Sequence, residues 1–213
     1  VDGKEIQIPP RGKYLNDGQL DSRITNFRPL RIPAKGDIIK VADLDTREFL
    51  FLKHLMRQEN PRAKVRADFQ LYLDGEFSNN QTIRMIDPFT KQEFRIAFSD
   101  IKFEHDDWTV LEDLLSYVKQ SFPDREVDIR KMIYIGDKPV DEYKVKYDNY
   151  FMMGDNRDNS LDSRYWGYLN RNYIKAKAFI LYFSLDKHIP AWQLPLKIRW
   201  DRIGKLIRSW DGI

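Results

Sequence analysis

The chain of 213 residues contains no cysteine. That absence excludes disulfide staples, thiolate zinc sites and cysteine nucleophiles together. Histidine is scarce as well. His54, His105 and His188 lie far apart, with no second ligand at i+3 or i+4, so no metal site is expected. Long apolar runs are missing too. The longest uncharged one, Ala178 to Leu185, has eight residues including Ser184, far short of the roughly 18 to 20 that span a bilayer. Charge of one sign is also lacking. The chain has 36 basic and 33 acidic residues, and its net charge of +3 is already present in residues 191–213. That stretch holds Lys197, Arg199, Arg202, Lys205 and Arg208 against Asp201 and Asp211. The remainder is balanced, so no broad basic face and no nucleic-acid partner are expected. What is present is a globular composition, 42% hydrophobic and 32% charged, which excludes disorder as the main state.

Residues 1–44 are punctuated by Pro9-Pro10, Gly12, Asp17-Gly18, Pro29, Pro33 and Gly36, with β-favouring pieces such as Asp37 to Val41 between them. The opening Val1-Asp2-Gly3-Lys4 reads as the second half of a hairpin turn, so the sequence is expected to begin in mid-domain. Asp45 and Glu48 then have capping-box spacing. Phe49, Leu52, Leu55 and Met56 share one helical face before Pro61, which predicts a helix over 46–59. Strand character returns over 68–77, with an Asp74-Gly75 hairpin turn, and again over 83–86 and 93–98. Thr109 and Glu112 repeat the capping-box spacing ahead of Leu111, Leu114, Leu115, Val118 and Phe122, a second helix stopped by Pro123. The acidic run Glu104-His105-Asp106-Asp107 reads as chemistry at the start of that helix rather than as a cation site. Further strands are expected over 132–135, 147–153 and 178–185.

This order predicts a mainly β fold. Residues 1–44 and 131–190 form one β domain, 45–130 form an inserted α/β subdomain, and 191–213 form a basic amphipathic tail. In the tail Leu196, Trp200, Ile203, Ile207 and Trp210 share a helical face. That spacing suits a helix lying on anionic lipid and equally one docked on the protein's own sheet.

One stretch stands apart, Gly154-Asp155-Asn156-Arg157-Asp158-Asn159-Ser160-Leu161-Asp162-Ser163-Arg164. Nine of its eleven residues are charged or hydrogen-bonding, yet Tyr150 to Met153 and Tyr165-Trp166 abut it on both sides. A solvated turn needs three or four such residues. Asp and Asn side chains can satisfy nearby amides, and alternating Asp and Arg can neutralise each other in a partly buried loop. On this evidence the stretch is either a structural polar loop or the floor of an active site.

Residues 151–167 closely resemble the last signature box of type I signal peptidases, membrane-bound serine proteases that remove signal peptides from exported proteins. Weaker resemblances lie in Val1-Asp2-Gly3-Lys4, in Phe27 to Gly36 and in Ile198 to Lys205, which is similar to the family's C-terminal tail. The resemblance implies a mostly β fold carrying a Ser–Lys dyad. In that chemistry a serine oxygen attacks the peptide carbonyl and a neutral lysine amine, its pKa lowered by apolar surroundings, takes the proton. The family's Ser-Met and Lys-Arg motifs do not occur here. Nucleophile and base are therefore expected upstream of Val1, and this chain alone is expected to be inactive. The resemblance assigns supporting roles. Ser160 holds the lysine amine, Asp162 and Arg164 form an ion pair, and Asp155 pairs with the basic residue beside the missing lysine. It also implies signal peptides as partners, bound extended along a strand edge, a location on the outer side of a bacterial cytoplasmic membrane, and no cofactor. The competing reading is a non-catalytic homologue whose box is structural and whose 45–130 block binds a partner.

Overall fold

Asp45 starts the helix around which the first part of the protein is packed. Its side chain accepts the Glu48 amide at 2.7 Å, while the Glu48 carboxylate accepts the Asp45 amide at 3.2 Å, a reciprocal capping box. The helix runs over Thr46–Glu59, as its sequence spacing predicts. Two of the four orphan amides of the first turn are thereby served. Replacing Asp45 by alanine is expected to lower the unfolding free energy by about 1–2 kcal/mol in a urea titration.

The protein is described here from a computed structural model, over residues 22–26, 28–86, 92–101, 107–157, 160–176, 180–186 and 188–206. These divide into two compact units after Tyr173. In chain order the first contains α1 (Ser22–Thr25), β1 (Ile38–Lys40), α2 (Thr46–Glu59), β2 (Val65–Leu73), β3 (Glu76–Phe77), β4 (Thr82–Ile86), β5 (Glu93–Ala97), α3 (Trp108–Gln120), β6 (Val127–Ile135), β7 (Lys138–Val140), β8 (Glu142–Lys144), β9 (Asn149–Tyr150), α4 (Ser163–Trp166) and β10 (Leu169–Asn170). The fold is mainly β.

The largest sheet has the order β3-β2-β6-β7 and is antiparallel throughout. Nine pairs join β2 to β6, from Val65↔Ile135 to Leu73↔Val127. Alternation along β2 sends Val65, Phe69, Leu71 and Leu73 into the core and leaves Arg66, Gln70 and Tyr72 on the outer face. The turn between β2 and β3 has positive φ at both Asp74 and Gly75, the geometry their dipeptide predicts. α2 packs on the inner face, with the Phe49 and Phe69 rings edge to face at 5.3 Å. Phe51, Leu52, Leu55 and Met56 are also buried, so α2 is covered on several sides, as a central helix must be. β4 pairs only with β5 among the described strands, and β1 pairs with β8.

Two expectations about helices need correction. Asp107, not Thr109, caps α3, accepting the Thr109 amide at 3.0 Å and its hydroxyl at 2.7 Å. The reason is visible at Glu112, whose carboxylate is engaged by Arg28 at 2.8 Å and Arg23 at 3.4 Å instead of reaching back to a cap. Glu104, His105 and Asp106 lie outside the described residues.

The second correction concerns the tail. Its helical spacing does not produce one helix over the described part. A 3-10 turn (Ala191–Gln193), α5 (Leu194–Lys197) and a second 3-10 turn (Trp200–Arg202) follow each other, and bridges pair Leu185 with Ile198 and Ile180 with Leu206. Pro195 favours only a helix start, and Gly204 adopts a φ of +80° that ends helical continuity. Ile207 and Trp210 lie outside the described residues.

Candidate functional site

Residues 151–168 form a loop closed at its base. β9 and β10 pair through Tyr150↔Leu169 and Asn149↔Asn170. One step further along, the Met152 amide donates to Ser163 Oγ at 2.9 Å and the Ser163 amide to the Met152 carbonyl at 3.0 Å. The strand expected over 147–153 shortens to β9, and at Met152 a side-chain hydroxyl takes one of the bonds that a continuing ladder would make. Glu59, buried at the end of α2, clamps the stem from below. It accepts from the Tyr143 hydroxyl at 2.7 Å, the Tyr147 amide at 3.2 Å and Asn170 Nδ2 at 3.4 Å. Burial, with the Glu59 hydrogen bond added, pushes the Tyr143 hydroxyl well above the usual phenol range.

Within the loop, Asp162 and Arg164 come together. Arg164 Nε donates to Asp162 Oδ1 at 2.9 Å and a terminal guanidinium nitrogen donates to Oδ2 at 3.0 Å, a bidentate pair. The side chains are 8% and 4% exposed. Asp162 also caps α4 by accepting the Arg164 amide at 3.1 Å and takes the Gly154 amide at 2.9 Å. Burial alone would raise the pKa of this carboxyl. The Arg164 guanidinium and the amides of Gly154 and Arg164 outweigh it and hold the group below the ordinary carboxylate value.

Ser160 is half-buried and rests directly on Gly154. A Cβ at Gly154 would lie 1.9 Å from Ser160 Oγ, so only glycine leaves room for the hydroxyl. Asp155 is exposed on the rim, and Asp158 and Asn159 lie outside the described residues. Three of the four candidate residues, Ser160, Asp162 and Arg164, thus meet around Gly154, and the fourth faces solvent. The arrangement suits orienting rather than proton transfer. A carboxylate with a depressed pKa and both oxygens occupied is a poor general base, whereas a hydroxyl fixed beside it can hold a partner amine.

Two residues that the sequence does not single out, Trp108 and Phe51, complete the site. Trp108, at the start of α3, donates its indole N–H to the Arg164 carbonyl at 2.8 Å. The Phe51 ring lies against Gly167 and 5.7 Å from the Tyr168 ring. His54 is half-buried with its ring 6.0 Å from that of Trp166. His188 is exposed in the second unit, and His105 is outside the described residues. Among the described residues no group of His, Asp and Glu could hold a metal ion.

The second unit presents a different surface. Trp192 is 79% exposed, Leu196 72% and Trp200 66%, beside exposed Arg199, Arg202 and Lys205. Among the described residues no helix is long and apolar enough to cross a membrane.

The sequence model of one family, signal peptidase, peptidase S26, matches residues 13–183. The chain is similar to the signal peptidase I of Aquifex aeolicus, at 63% identity over 35 residues, 16% of this chain and 14% of that protein. It is similar to the signal peptidase I of Buchnera aphidicola subsp. Acyrthosiphon pisum, at 53% over 57 residues, 27% of this chain and 18% of that protein. The signal peptidase I of Helicobacter pylori strain J99 is 38% identical over 77 residues, 33% of this chain and 27% of that protein. The matched stretches therefore cover between 14% and 27% of these relatives' own lengths.

Proposed function

Since the chain belongs to the signal peptidase family, peptidase S26, we propose that it is the C-terminal portion of a serine endopeptidase that removes signal peptides from exported proteins. The observation that carries this reading is the 151–167 loop, in which a bidentate buried ion pair fixes Gly154 and, through it, Ser160. In the proposed mechanism a serine oxygen attacks the scissile carbonyl carbon and a neutral lysine amine takes the hydroxyl proton. Both groups come from residues outside these 213. Ser160 holds the amine toward the serine, and Asp162 with Arg164 keeps Ser160 in place. Asp155 pairs with a basic residue next to the lysine, which accounts for a carboxylate standing on the rim. The substrate binds extended along a strand edge, where backbone pairing supplies affinity and small side chains fill shallow pockets.

The site of action is the outer face of a bacterial cytoplasmic membrane. Exposed Trp192, Leu196 and Trp200 beside exposed Arg199, Arg202 and Lys205 support contact of residues 191–213 with an anionic lipid surface.

The test uses the full-length gene product and a purified preprotein. The full-length protein is expected to cleave it, and Ser160→Ala to lower kcat by about 10²-fold or more, the scale of a lost acid–base contribution. The 213-residue chain alone is expected to be inactive. Absence of cleavage by the full-length protein overturns the reading. So does turnover by the chain alone that disappears with Ser160→Ala, because Ser160 would then be the nucleophile.

A further inference from the structure

We infer that Trp108 is a positioning residue for the loop at 151–167, and that α2 and α3, in the block with no assigned role, are its scaffold. The functional weight of this inference rests on the peptidase reading above. Its structural content does not.

Trp108 is the first residue of α3 and is 1% exposed. The Asp107 cap fixes the start of the helix. From the other side, Arg23 donates to the Thr109 carbonyl at 3.3 Å and pairs with Asp113 at 2.9 Å. The indole is thus held where its N–H meets a carbonyl 56 residues away in sequence. A buried indole N–H requires some acceptor, so a hydrogen bond alone would mean little. The identity of the acceptor is what matters.

α4 is only four residues long, and the last carbonyls of a helix have no partner inside it. The Ser163 carbonyl accepts the Gly167 amide at 2.8 Å. The next carbonyl, that of Arg164, receives the Trp108 indole. The same Arg164 grips both oxygens of Asp162, Asp162 Oδ2 takes the Gly154 amide, and Gly154 is packed on Ser160. A single N–H donated by α3 therefore stands at the head of a chain of contacts ending at the Ser160 hydroxyl. Phe51 of α2 lies against Gly167 at the end of α4, so both helices contact α4.

The experiment replaces Trp108 by phenylalanine, which keeps an aromatic ring and removes the N–H. Hydrogen exchange is followed residue by residue on the 213-residue chain. Exchange at the Gly154 and Arg164 amides, both bonded to Asp162, is expected to rise at least tenfold, while Leu71 and Ile133 in the β2–β6 core stay unchanged. Unchanged loop amides overturn the inference, as does an equal rise at every amide, which would mean general destabilisation only. If the variant does not fold, the unmodified chain decides. The Trp108 indole N–H and the Gly154 amide should then show the same opening equilibrium, and unrelated equilibria overturn the inference. In the full-length protein the same variant is expected to lower kcat about tenfold with KM changed less than threefold. An inactive full-length parent would sink the peptidase reading while leaving the exchange result interpretable; an active parent with unaltered loop exchange would sink the positioning role alone.

Discussion

Arg164→Met is expected to cost about 3–5 kcal/mol of unfolding free energy, far more than loss of an exposed ion pair. The size follows from what is left behind. Asp162 has an 8% exposed side chain, and without the guanidinium its charge keeps only the amides of Gly154 and Arg164. Asp162→Asn leaves the complementary problem, a buried guanidinium that has lost the Asp162 carboxylate. The double variant removes both charges, so its cost should fall short of the sum of the single costs by more than about 1 kcal/mol. The control is Asp128 with Arg130 on the outer face of β6, with side chains 55% and 56% exposed, where breaking the pair should cost about 0–1 kcal/mol. Acid adds an independent check. The folded pKa of Asp162 is depressed below 3.8, so its contribution is complete above that ordinary value and is lost as pH falls through the depressed one. The stability gap between the parent and Asp162→Asn should therefore be constant from about pH 7 to about pH 5 and shrink toward about pH 2. A gap that does not change with acid, or a cost no larger than that of the Arg130 control, would remove the buried pair from the account.

The features that were legible in the sequence are those set by neighbours along the chain. Asp45 and Glu48 are three residues apart and cap the helix their spacing predicts. Asp74-Gly75 makes the turn that its tolerance of positive φ requires. Asp162 and Arg164, two residues apart, meet because the aspartate caps the short helix that the arginine belongs to. What was not legible depends on partners far away. The register Val65↔Ile135 to Leu73↔Val127 joins residues on both sides of position 130, and no local signal announces it. Trp108 carries no local mark of its role because its acceptor is 56 residues distant. Thr109 had the better capping-box spacing, but Arg23 and Arg28 draw Glu112 away and Asp107 takes the cap. In the tail, Leu196, Trp200 and Ile203 keep helical spacing. Pro195, Gly204 and bridges to Ile180 and Leu185 redirect the backbone. Local chemistry therefore identified the loop, while the elements that hold it had to be seen in three dimensions.

Gly167→Ala should cost about 2–6 kcal/mol through two separable effects. Gly167 has a φ of +87° and a ψ of −138°, a conformation that side-chain-bearing residues rarely adopt, and about 1–3 kcal/mol is assigned to that strain. A methyl group would also meet Phe51, with ring and Cβ atoms 2.5–2.8 Å away, and crowding against a buried ring adds about 1–3 kcal/mol. Gly136 separates the two effects. Its φ is +61° and a Cβ there meets nothing within 4 Å, so Gly136→Ala should show backbone strain alone, about 1–2 kcal/mol. Truncating the neighbour by Phe51→Ala removes Cγ and Cδ1, the two nearest ring atoms, and should relieve most of the crowding but not the strain, so the pair with Gly167→Ala should be less than additive. Equal costs at Gly167 and Gly136 in denaturant unfolding, with no coupling to Phe51, would mean that the ring yields easily. α2 would then not be a rigid wall for α4. If the cost and the coupling are found, the close approach of backbone to ring is the contact by which α2 holds the C-terminal end of the loop.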